Sequence, residues 1–213
     1  MAQAARFWDK VALRYSKKPV SDEASYEKKL KITQQYFRPD MEVLELGCGT
    51  GSTAMVHAPF VKHIHAVDIS AGMLEIAKDK VEAAGIDNIT FECAAVDAFT
   101  APDESLDAVL ALSLLHLVTD KEAVMARIHK MLKPGGLFVS STVCLGESMM
   151  RCIRFINPLG RALGLMPLVK VFTAKDMEDS VTAAGFEIER LWLPPDGITA
   201  FIVARKVGDR KTG

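Results

Sequence analysis

The sequence has few cysteines and no long apolar run. Its four cysteines, Cys48, Cys93, Cys144 and Cys152, form no CxxC pair, which argues against a disulfide framework or a structural zinc site and favours reduced thiols. No stretch reaches about 18 uninterrupted apolar residues, and the opening MAQAARFWDK lacks the apolar core of a signal peptide. We therefore expect a cytoplasmic protein that folds without disulfides.

The sequence also has no large excess of positive or negative charge, because the formal net charge is only −1. The charges are unevenly distributed, however. Residues 1–39 contain nine Lys and Arg against four Asp and Glu, residues 40–147 contain seven against sixteen, and residues 148–172 contain four against none. Two basic segments therefore flank an acidic middle, although scattered solvated charge explains these counts equally well. The composition, with 49% hydrophobic residues, is globular and suits a single domain over residues 1–213.

Short apolar runs alternate with helical patterns along the chain. We expect strands at EVLEL (42–46), HIHAVDI (63–69), NITFECAAV (88–96), LDAVLALSLL (106–115) and LFVSSTVCL (137–145). Strands that alternate with helices indicate an α/β fold with a parallel sheet covered on both faces. Two last runs, FEIERLWL and TAFIVAR, are separated only by PPDGI, which predicts an antiparallel hairpin.

Capping residues predict where the helices begin. After an irregular start, Ser21 caps a first helix. A capping box of Thr119 with Glu122 begins the helix that ends at the PGG turn. A long insertion over residues 146–172 precedes a further helix that starts at Thr173.

The stretch VLELGCGTGSTA joins the first strand to a glycine-rich turn. Gly47, Gly49 and Gly51 stand at every second position, whereas dinucleotide sites use G-x-G-x-x-G to open a helix N-terminus to a pyrophosphate. Glu45, two places before the first glycine, would repel a pyrophosphate and attract an ammonium group. A nicotinamide oxidoreductase is therefore disfavoured, and we expect a nucleoside with a positively charged attachment.

A second carboxylate, Asp68, follows in AVDIS, seventeen residues past Gly51. At the end of a second strand, a carboxylate accepts both ribose hydroxyls of an adenosine that has no 2′-phosphate. Glycines alone would indicate only a tight turn. Glu45 for an amino group and Asp68 for a ribose together predict S-adenosylmethionine as the cofactor.

At this point the sequence resembles the class I S-adenosylmethionine-dependent methyltransferases. The resemblance rests on VLELGCGTG, AVDIS, PDESLDAVLALSLLHLV, the LKPGG turn and the AGF before the hairpin, and so covers nearly the whole chain. Among relatives the chain looks most like the small-molecule branch that includes the ubiquinone and menaquinone C-methyltransferases. The resemblance implies a Rossmann-like, doubly wound sheet of seven mostly parallel strands with an antiparallel last strand.

The resemblance also implies which residues contact the cofactor. The family's strand-three acid is missing, because its position is Ala95, followed by Val96. Asp97 is a candidate substitute, although a solvated loop residue is the simpler interpretation, and Met73 is equally typical of a core. By position, the cofactor contacts fall on Glu45, Gly47, Cys48, Gly49, Asp68, Ile69, Met73, Val96, Asp97 and Ser113.

His116 and Tyr15 are the candidate catalytic residues. The cofactor's methyl group is already an electrophile, so the enzyme mainly aligns a nucleophile and excludes water, with a base where the acceptor loses a proton. His116 would be that base, or would only position its loop, and Tyr15 would close over the cofactor, or would only pack. His63 and His65 share a strand face, but no third ligand is evident, so no metal is expected.

Two segments are expected to cover the acceptor: a cap over residues 1–39 and a lid over residues 146–172. In the lid, Met149, Ile153 and Ile156 have helical spacing, with arginines on other sides. An apolar and cationic cover suits a small acceptor with an apolar body and an anionic or polar part. It also suits transient contact with an anionic membrane surface, or ordinary packing.

Two functions stay open at this point. One is methyl transfer to a small, apolar or amphipathic acceptor by in-line displacement, and the other is S-adenosylmethionine binding without catalysis, as a partner or sensor. No nucleic acid is expected as a partner, because SLLHL stands where base methyltransferases have an Asn/Asp-Pro-Pro-Tyr motif. The sequence sets neither the acceptor atom nor the oligomeric state.

Overall fold

The computed structural model describes residues 2–195 and 197–208. The strands are β1 (Glu42–Leu46), β2 (His63–Asp68), β3 (Ile89–Cys93), β4 (Leu106–Leu112), β5 (Leu132–Val143), β6 (Phe186–Trp192) and β7 (Thr199–Lys206). They form one sheet in the order β3-β2-β1-β4-β5-β7-β6. Strand β7 runs antiparallel to both of its neighbours, while the other pairings are parallel. The expected seven-stranded α/β fold is confirmed; position 196 of the predicted hairpin turn lies outside the described residues.

Seven α-helices are described. They are α1 (Ala2–Ser16), α2 (Glu23–Gln34), α3 (Ser52–His57), α4 (Ala71–Ala83), α5 (Lys121–Met131), α6 (Ile153–Ala162) and α7 (Ala174–Ala183). Short 3-10 turns cover Ala58–Phe60 and Met149–Cys152.

The core lies on both faces of the central strands. Val43 and Ile64 belong to one buried cluster, and Leu44 and Val109 belong to the other. Consecutive residues of β1 thus point to opposite, equally apolar layers. This explains why EVLEL reads as a continuous apolar run rather than as an alternating pattern.

The irregular start predicted for the chain is wrong, because residues 2–16 form α1. No acidic residue lies in its first turn, and its stability comes from packing on α4. Asp9 anchors it there: its Oδ1 accepts hydrogen bonds from Ser70 Oγ at 2.6 Å and from Gly72 N at 3.1 Å. A helix held by tertiary contacts needs little capping signal of its own.

Two predicted caps are off by one residue. Asp22, not Ser21, caps α2, and Asp120, not Thr119, caps α5, each accepting from a backbone N–H three residues on. A carboxylate also interacts favourably with the positive end of the helix dipole. The cap at Thr173 is confirmed, with a complete capping box.

Several strand boundaries differ from prediction; β4, for example, ends at Leu112 instead of residue 115. Strand β3 ends at Cys93 instead of continuing to residue 96, and β5 begins at Leu132 instead of residue 137. The difference at β5 arises because the PGG turn lies inside an irregular pairing, where the register shifts between Leu106 and Ala108. Backbone contacts with β4 therefore resume on both sides of the turn.

Candidate functional site

The glycine turn lies at the carboxyl end of β1, where the strand order reverses between β1 and β4. Such a reversal opens a crevice at the sheet edge, where open α/β folds bind ligands. Gly47 and Cys48 both donate their N–H to Val67 O, at 2.7 and 3.1 Å, which ties the turn to the end of β2. The turn then leads into α3, whose N-cap is Gly51.

Any residue other than glycine would be unfavourable at position 47, for a conformational and a steric reason. Gly47 has a φ of +70°, in the left-handed region. A Cβ at this position would lie 2.8 Å from Leu114 Cδ1. The turn therefore brings its backbone close to the loop after β4, and the space between them is kept narrow.

Glu45 lies in β1 and is buried, with 3% of its surface exposed. Its Oε2 has no hydrogen-bond partner within the described structure. Burial, and next the charge of Asp68, raise the pKa of the Glu45 carboxyl to about 8. A buried carboxyl with a vacant acceptor suits a cationic donor such as an ammonium group.

Asp68 ends β2 and is held from two sides. Its Oδ2 accepts from Gly49 N at 2.8 Å, and its Oδ1 accepts from Ser70 N at 2.9 Å. Burial is the largest cause of its raised pKa, which the backbone donors partly oppose. Each carboxylate oxygen still has a second lone pair, so the fixed carboxylate retains the capacity to accept from two hydroxyls.

Two cavities open at this edge. The first, which we call the β2-side cavity, has a volume of about 190 Å³. It is covered by Trp8 of α1 and by Arg161 and Leu168 of the predicted lid. It brings together most of the residues expected from sequence: Tyr15, Gly47, Gly49, Asp68, Ile69, Met73, Val96, Asp97 and Ser113.

The second, the α2-side cavity, has a volume of about 400 Å³ and includes Glu45 and Cys48. The two cavities share part of their lining, namely Tyr15, Gly47, Gly49, Leu112 and Ser113. They therefore adjoin across the glycine turn. A ligand that extends from one to the other would pass these shared residues.

Ser113 marks the junction on the β4 side. It has φ +56°, unusual for a residue other than glycine, and its N–H donates to Ser141 O at 2.6 Å. The bond holds the end of β4 against β5 and keeps Ser113 between the cavities.

Sequence reasoning did not identify several polar residues of the α2-side cavity. Tyr26, Lys29 and Thr33 line it from α2, and Ser141 lines it from β5. The spacing of the first three, i, i+3 and i+7, places them on one helix face, and this was the available signal. His57 also lines the cavity; it is fully buried, and neither ring nitrogen has a partner in the described structure.

The structure does not bring His116 to either cavity's lining. The residue is 9% exposed, and burial lowers its pKa to about 4. Its carbonyl accepts from Lys170 N at 2.7 Å, and its Nδ1 has no partner in the described chain. Its role as a base stays a prediction, while its backbone fastens the lid to the loop after β4.

Arg127 holds the backbone of the two residues that follow Ala95, the position of the missing strand-three acid. Its Nη1 donates to Asp97 O at 2.6 Å, and its Nη2 donates to Val96 O at 3.3 Å. These bonds fix the backbone of both residues beside the β2-side cavity. Whether the Asp97 carboxylate replaces the missing acid stays a prediction.

The predicted lid lies over one of the two cavities. Its residues line the β2-side cavity, and Gln3 Nε2 donates to Arg161 O. Within the described chain, the α2-side cavity has no lining residue from 146–172, and residues 15–33 form much of its wall. Within the lid, Met149 and Ile156 are exposed but Ile153 is partly buried, so these three do not form one apolar face.

The two strand histidines bond elsewhere. His63 Nε2 lies 3.0 Å from Thr90 Oγ1, and His65 Nε2 lies 3.0 Å from Glu92 Oε2. Across residues 2–195 and 197–208, no three His, Cys, Asp or Glu side chains group as metal ligands would. In the same part of the chain, no helix combines the length and apolarity needed to cross a membrane.

Comparisons with known proteins identify the domain. Residues 43–136 match the family profile of a methyltransferase domain. The chain is 32% identical over 157 residues to demethylmenaquinone methyltransferase of Symbiobacterium thermophilum, covering 70% of this chain and 61% of that protein. It is 31% identical over 114 residues to phosphoethanolamine N-methyltransferase 2 of Caenorhabditis elegans, covering 52% and 26%.

The fold is also that of solved relatives. The structure of phosphoethanolamine N-methyltransferase 2 of Haemonchus contortus, in complex with phosphomonomethylethanolamine and S-adenosylhomocysteine, has a TM-score of 0.70 at 16% identity, covering 85% of this chain and 53% of that chain. The chain spans less than two thirds of the length of the two curated relatives above. Residues 43–136 thus match a methyltransferase domain, and the chain shares its fold with that solved methyltransferase.

Proposed function

We propose that the protein transfers the methyl group of S-adenosylmethionine to a small, apolar or amphipathic acceptor. One observation carries the proposal: the unpartnered buried carboxyl of Glu45 and the fixed carboxylate of Asp68 flank one glycine turn. The first suits the ammonium group of the cofactor, and the second suits its ribose hydroxyls. A pyrophosphate is disfavoured at this turn, because the neighbouring carboxylates of Glu45 and Asp68 would repel it.

The adenosine half of the cofactor occupies the β2-side cavity. Ile69 and Met73 supply apolar contacts for the adenine, and Val96 and Asp97 form the opposite rim. The methionine half extends past Gly47 and Gly49 toward Glu45. Tyr15 and Ser113, which line both cavities, would then flank the sulfonium, whose methyl group is the electrophile.

The acceptor occupies the α2-side cavity. Tyr26, Lys29 and Ser141 provide hydrogen-bond donors and one cation, and Val20 and Leu30 provide apolar surface. This mixture suits an acceptor with an apolar body and an anionic or polar part. The names of the relatives, which refer to demethylmenaquinone and phosphoethanolamine, support small molecules of this general kind.

The residues of this site chiefly hold the acceptor in position and exclude water. The sulfonium makes the methyl group electrophilic, so the protein holds the acceptor atom in line with it. Tyr15 lines both cavities and packs edge-on against Trp8, with ring centroids 6.1 Å apart. It covers the junction between donor and acceptor and keeps solvent from it.

Calorimetric titration tests the donor assignment. S-adenosylmethionine should bind and NAD should not. Asp68→Ala should weaken binding by about 1–3 kcal/mol, because charged hydrogen bonds to the ribose are lost. Asp79→Ala, which removes an exposed carboxylate from α4, is the matched control; unchanged affinity in Asp68→Ala would refute the ribose assignment.

An acceptor screen tests the reaction itself. Phenols, quinols, amines and lipids are offered with S-adenosylmethionine, and release of S-adenosylhomocysteine is measured. We expect turnover with at least one class that combines an apolar body with an anionic or polar part. If the cofactor binds but every class fails, binding without catalysis becomes the better description.

A further inference from the structure

Helix α6 exposes an apolar face that the rest of the described chain leaves uncovered. Phe155, Ile156, Leu159 and Leu163 are 72%, 59%, 65% and 63% exposed. Their spacing of one, three and four residues places them on one side of the helix. Contiguous exposed apolar surface of this kind marks an interaction site in a soluble protein.

The opposite side of α6 is already packed. Asn157 Nδ2 donates to Pro167 O at 2.8 Å, and its Oδ1 accepts from Val169 N at 3.2 Å. A Cβ at Gly160 would lie 2.7 Å from Met166 Sδ, so the helix sits directly on its own return segment. Rotating the apolar face inward would break these contacts, so the face is held outward.

The segment that contains this face, residues 148–172, carries basic residues and no acidic ones. Arg151, Arg154, Arg161 and Lys170 are exposed, and residues 148–172 contain no Asp or Glu. Within the described residues, none of the four basic side chains forms an ion pair, and Arg154 lies over the Phe155 ring at 4.7 Å. Residues 148–172 therefore carry a formal charge of +4, and one of the four basic residues, Lys170, shares a cavity lining with Glu122, Asp176 and Asp179.

We infer that this α6 surface, made of the apolar face and its four basic neighbours, docks on an anionic phospholipid bilayer. Apolar side chains enter the boundary between head groups and acyl chains, while arginine and lysine stems extend toward the phosphates. A second copy of the chain is a poorer occupant. Face-to-face pairing would bring like charges together with no acidic residue of the lid to balance them.

The docked surface adjoins the site already described. Arg161 belongs to the basic set and also lines the β2-side cavity with Leu168. A protein held on a bilayer by this surface would meet apolar acceptors where they dissolve. That consequence rests on the proposed function, whereas docking itself does not.

Vesicle sedimentation without any methyl donor tests the docking. The full chain should bind vesicles of phosphatidylcholine with about 30% phosphatidylglycerol at least ~10-fold more tightly than phosphatidylcholine alone, with the difference reduced by salt. The double substitution Phe155→Glu with Leu159→Glu should lower binding to the anionic vesicles at least ~10-fold. Leu193→Glu, on an exposed leucine beyond β6, is the matched control.

A dye on Cys152 gives a second, local measurement. Cys152 precedes α6 and is exposed, as is Cys93, so the dye is attached in the Cys93→Ser variant. Its emission should shift to the blue with anionic vesicles and not with neutral ones. Unshifted emission, equal sedimentation with both vesicle types, or a protein dimer abolished by the double substitution would each overturn the inference.

Because no methyl donor or acceptor is present, a failure of docking leaves methyl transfer untouched. Likewise, loss of turnover in the acceptor screen would leave the vesicle result standing. Far-ultraviolet circular dichroism of each variant separates loss of docking from loss of folding.

Discussion

At the residue scale, Glu45 couples the ligand to the proton balance of the protein. A buried carboxyl without a partner is costly when charged, and burial accordingly raises its pKa to about 8. A bound ammonium group would reverse this balance, because an opposite charge favours the ionised form. On the proposed assignment, Glu45 would link cofactor binding to pH.

We predict that binding of S-adenosylmethionine releases a proton from Glu45 near pH 7. The ammonium group lowers the pKa of the carboxyl from its ligand-free value of about 8. Titration calorimetry in two buffers of different ionisation enthalpy measures the protons released. Glu45→Gln should remove most of this release and weaken binding at least ~10-fold; an unchanged proton count would contradict the assignment.

Without ligand, Glu45 should make the protein less stable as the pH rises. Its folded pKa of about 8 exceeds the ordinary value of 4.5, so the folded state binds the proton more tightly. This contribution is complete below about pH 4.5 and is lost between there and about pH 8. In urea unfolding at pH 8, ligand-free Glu45→Gln should therefore be more stable than the unsubstituted protein by at least ~1 kcal/mol. Equal free energies of unfolding for the two proteins would contradict this prediction.

At the element scale, α1 is part of the site rather than an appendage. It covers the β2-side cavity with Trp8 and Tyr15, and Asp9 fastens it to the start of α4. The same stretch of α4 follows Asp68 directly. Helix α1 and the Asp68 carboxylate are therefore held by one local network around Ser70.

We predict that Asp9→Ala loosens this cover. Loss of the acceptor for Ser70 Oγ and Gly72 N should lower the free energy of unfolding by about 1 kcal/mol. It should also speed hydrogen exchange along α1, which mass spectrometry measures peptide by peptide. Glu75→Ala, an exposed change on α4, should do neither, and unchanged α1 exchange in Asp9→Ala would show that other contacts suffice.

Local patterns predicted the elements whose signals are local. The predictions of β1 and of the Thr173 cap agree with the structure. Both depend only on neighbouring residues, namely a continuous apolar run for the strand and a capping side chain for the helix. The sequence of α1 carries a weak signal, since its helix depends on α4, some 60 residues away. The polar lining of α2 was missed for a related reason: Tyr26 and Lys29 look like an ordinary solvated face until the cavity is seen.

At the scale of the whole molecule, the fold sorts the four thiols into two classes. Cys93 and Cys152 are exposed, whereas Cys48 and Cys144 are buried. Burial raises the pKa of the Cys48 thiol well above its usual range, and it raises the pKa of the Cys144 thiol to about 11. Both buried thiols are thus hard to reach and hard to ionise.

We predict that two thiols of the native protein react quickly with a disulfide reagent. At pH 8 a disulfide reagent such as Ellman's should react with two groups quickly, and with all four after denaturation. Cys93→Ser and Cys152→Ser should each remove one fast group. Rapid reaction of a third thiol would mean that the glycine turn at Cys48, or the end of β5 near Cys144, opens readily.

The two cavities share only a narrow border of Tyr15, the glycine turn and the end of β4. Beyond that border their walls come from different stretches of chain. On the proposed assignment, we expect mutations in residues 17–33 to alter which acceptor is taken while the β2-side wall of the adenosine stays intact. If so, the preference for an acceptor could change while the adenosine wall is retained, and exchange of this segment between relatives would be a direct route to new acceptors.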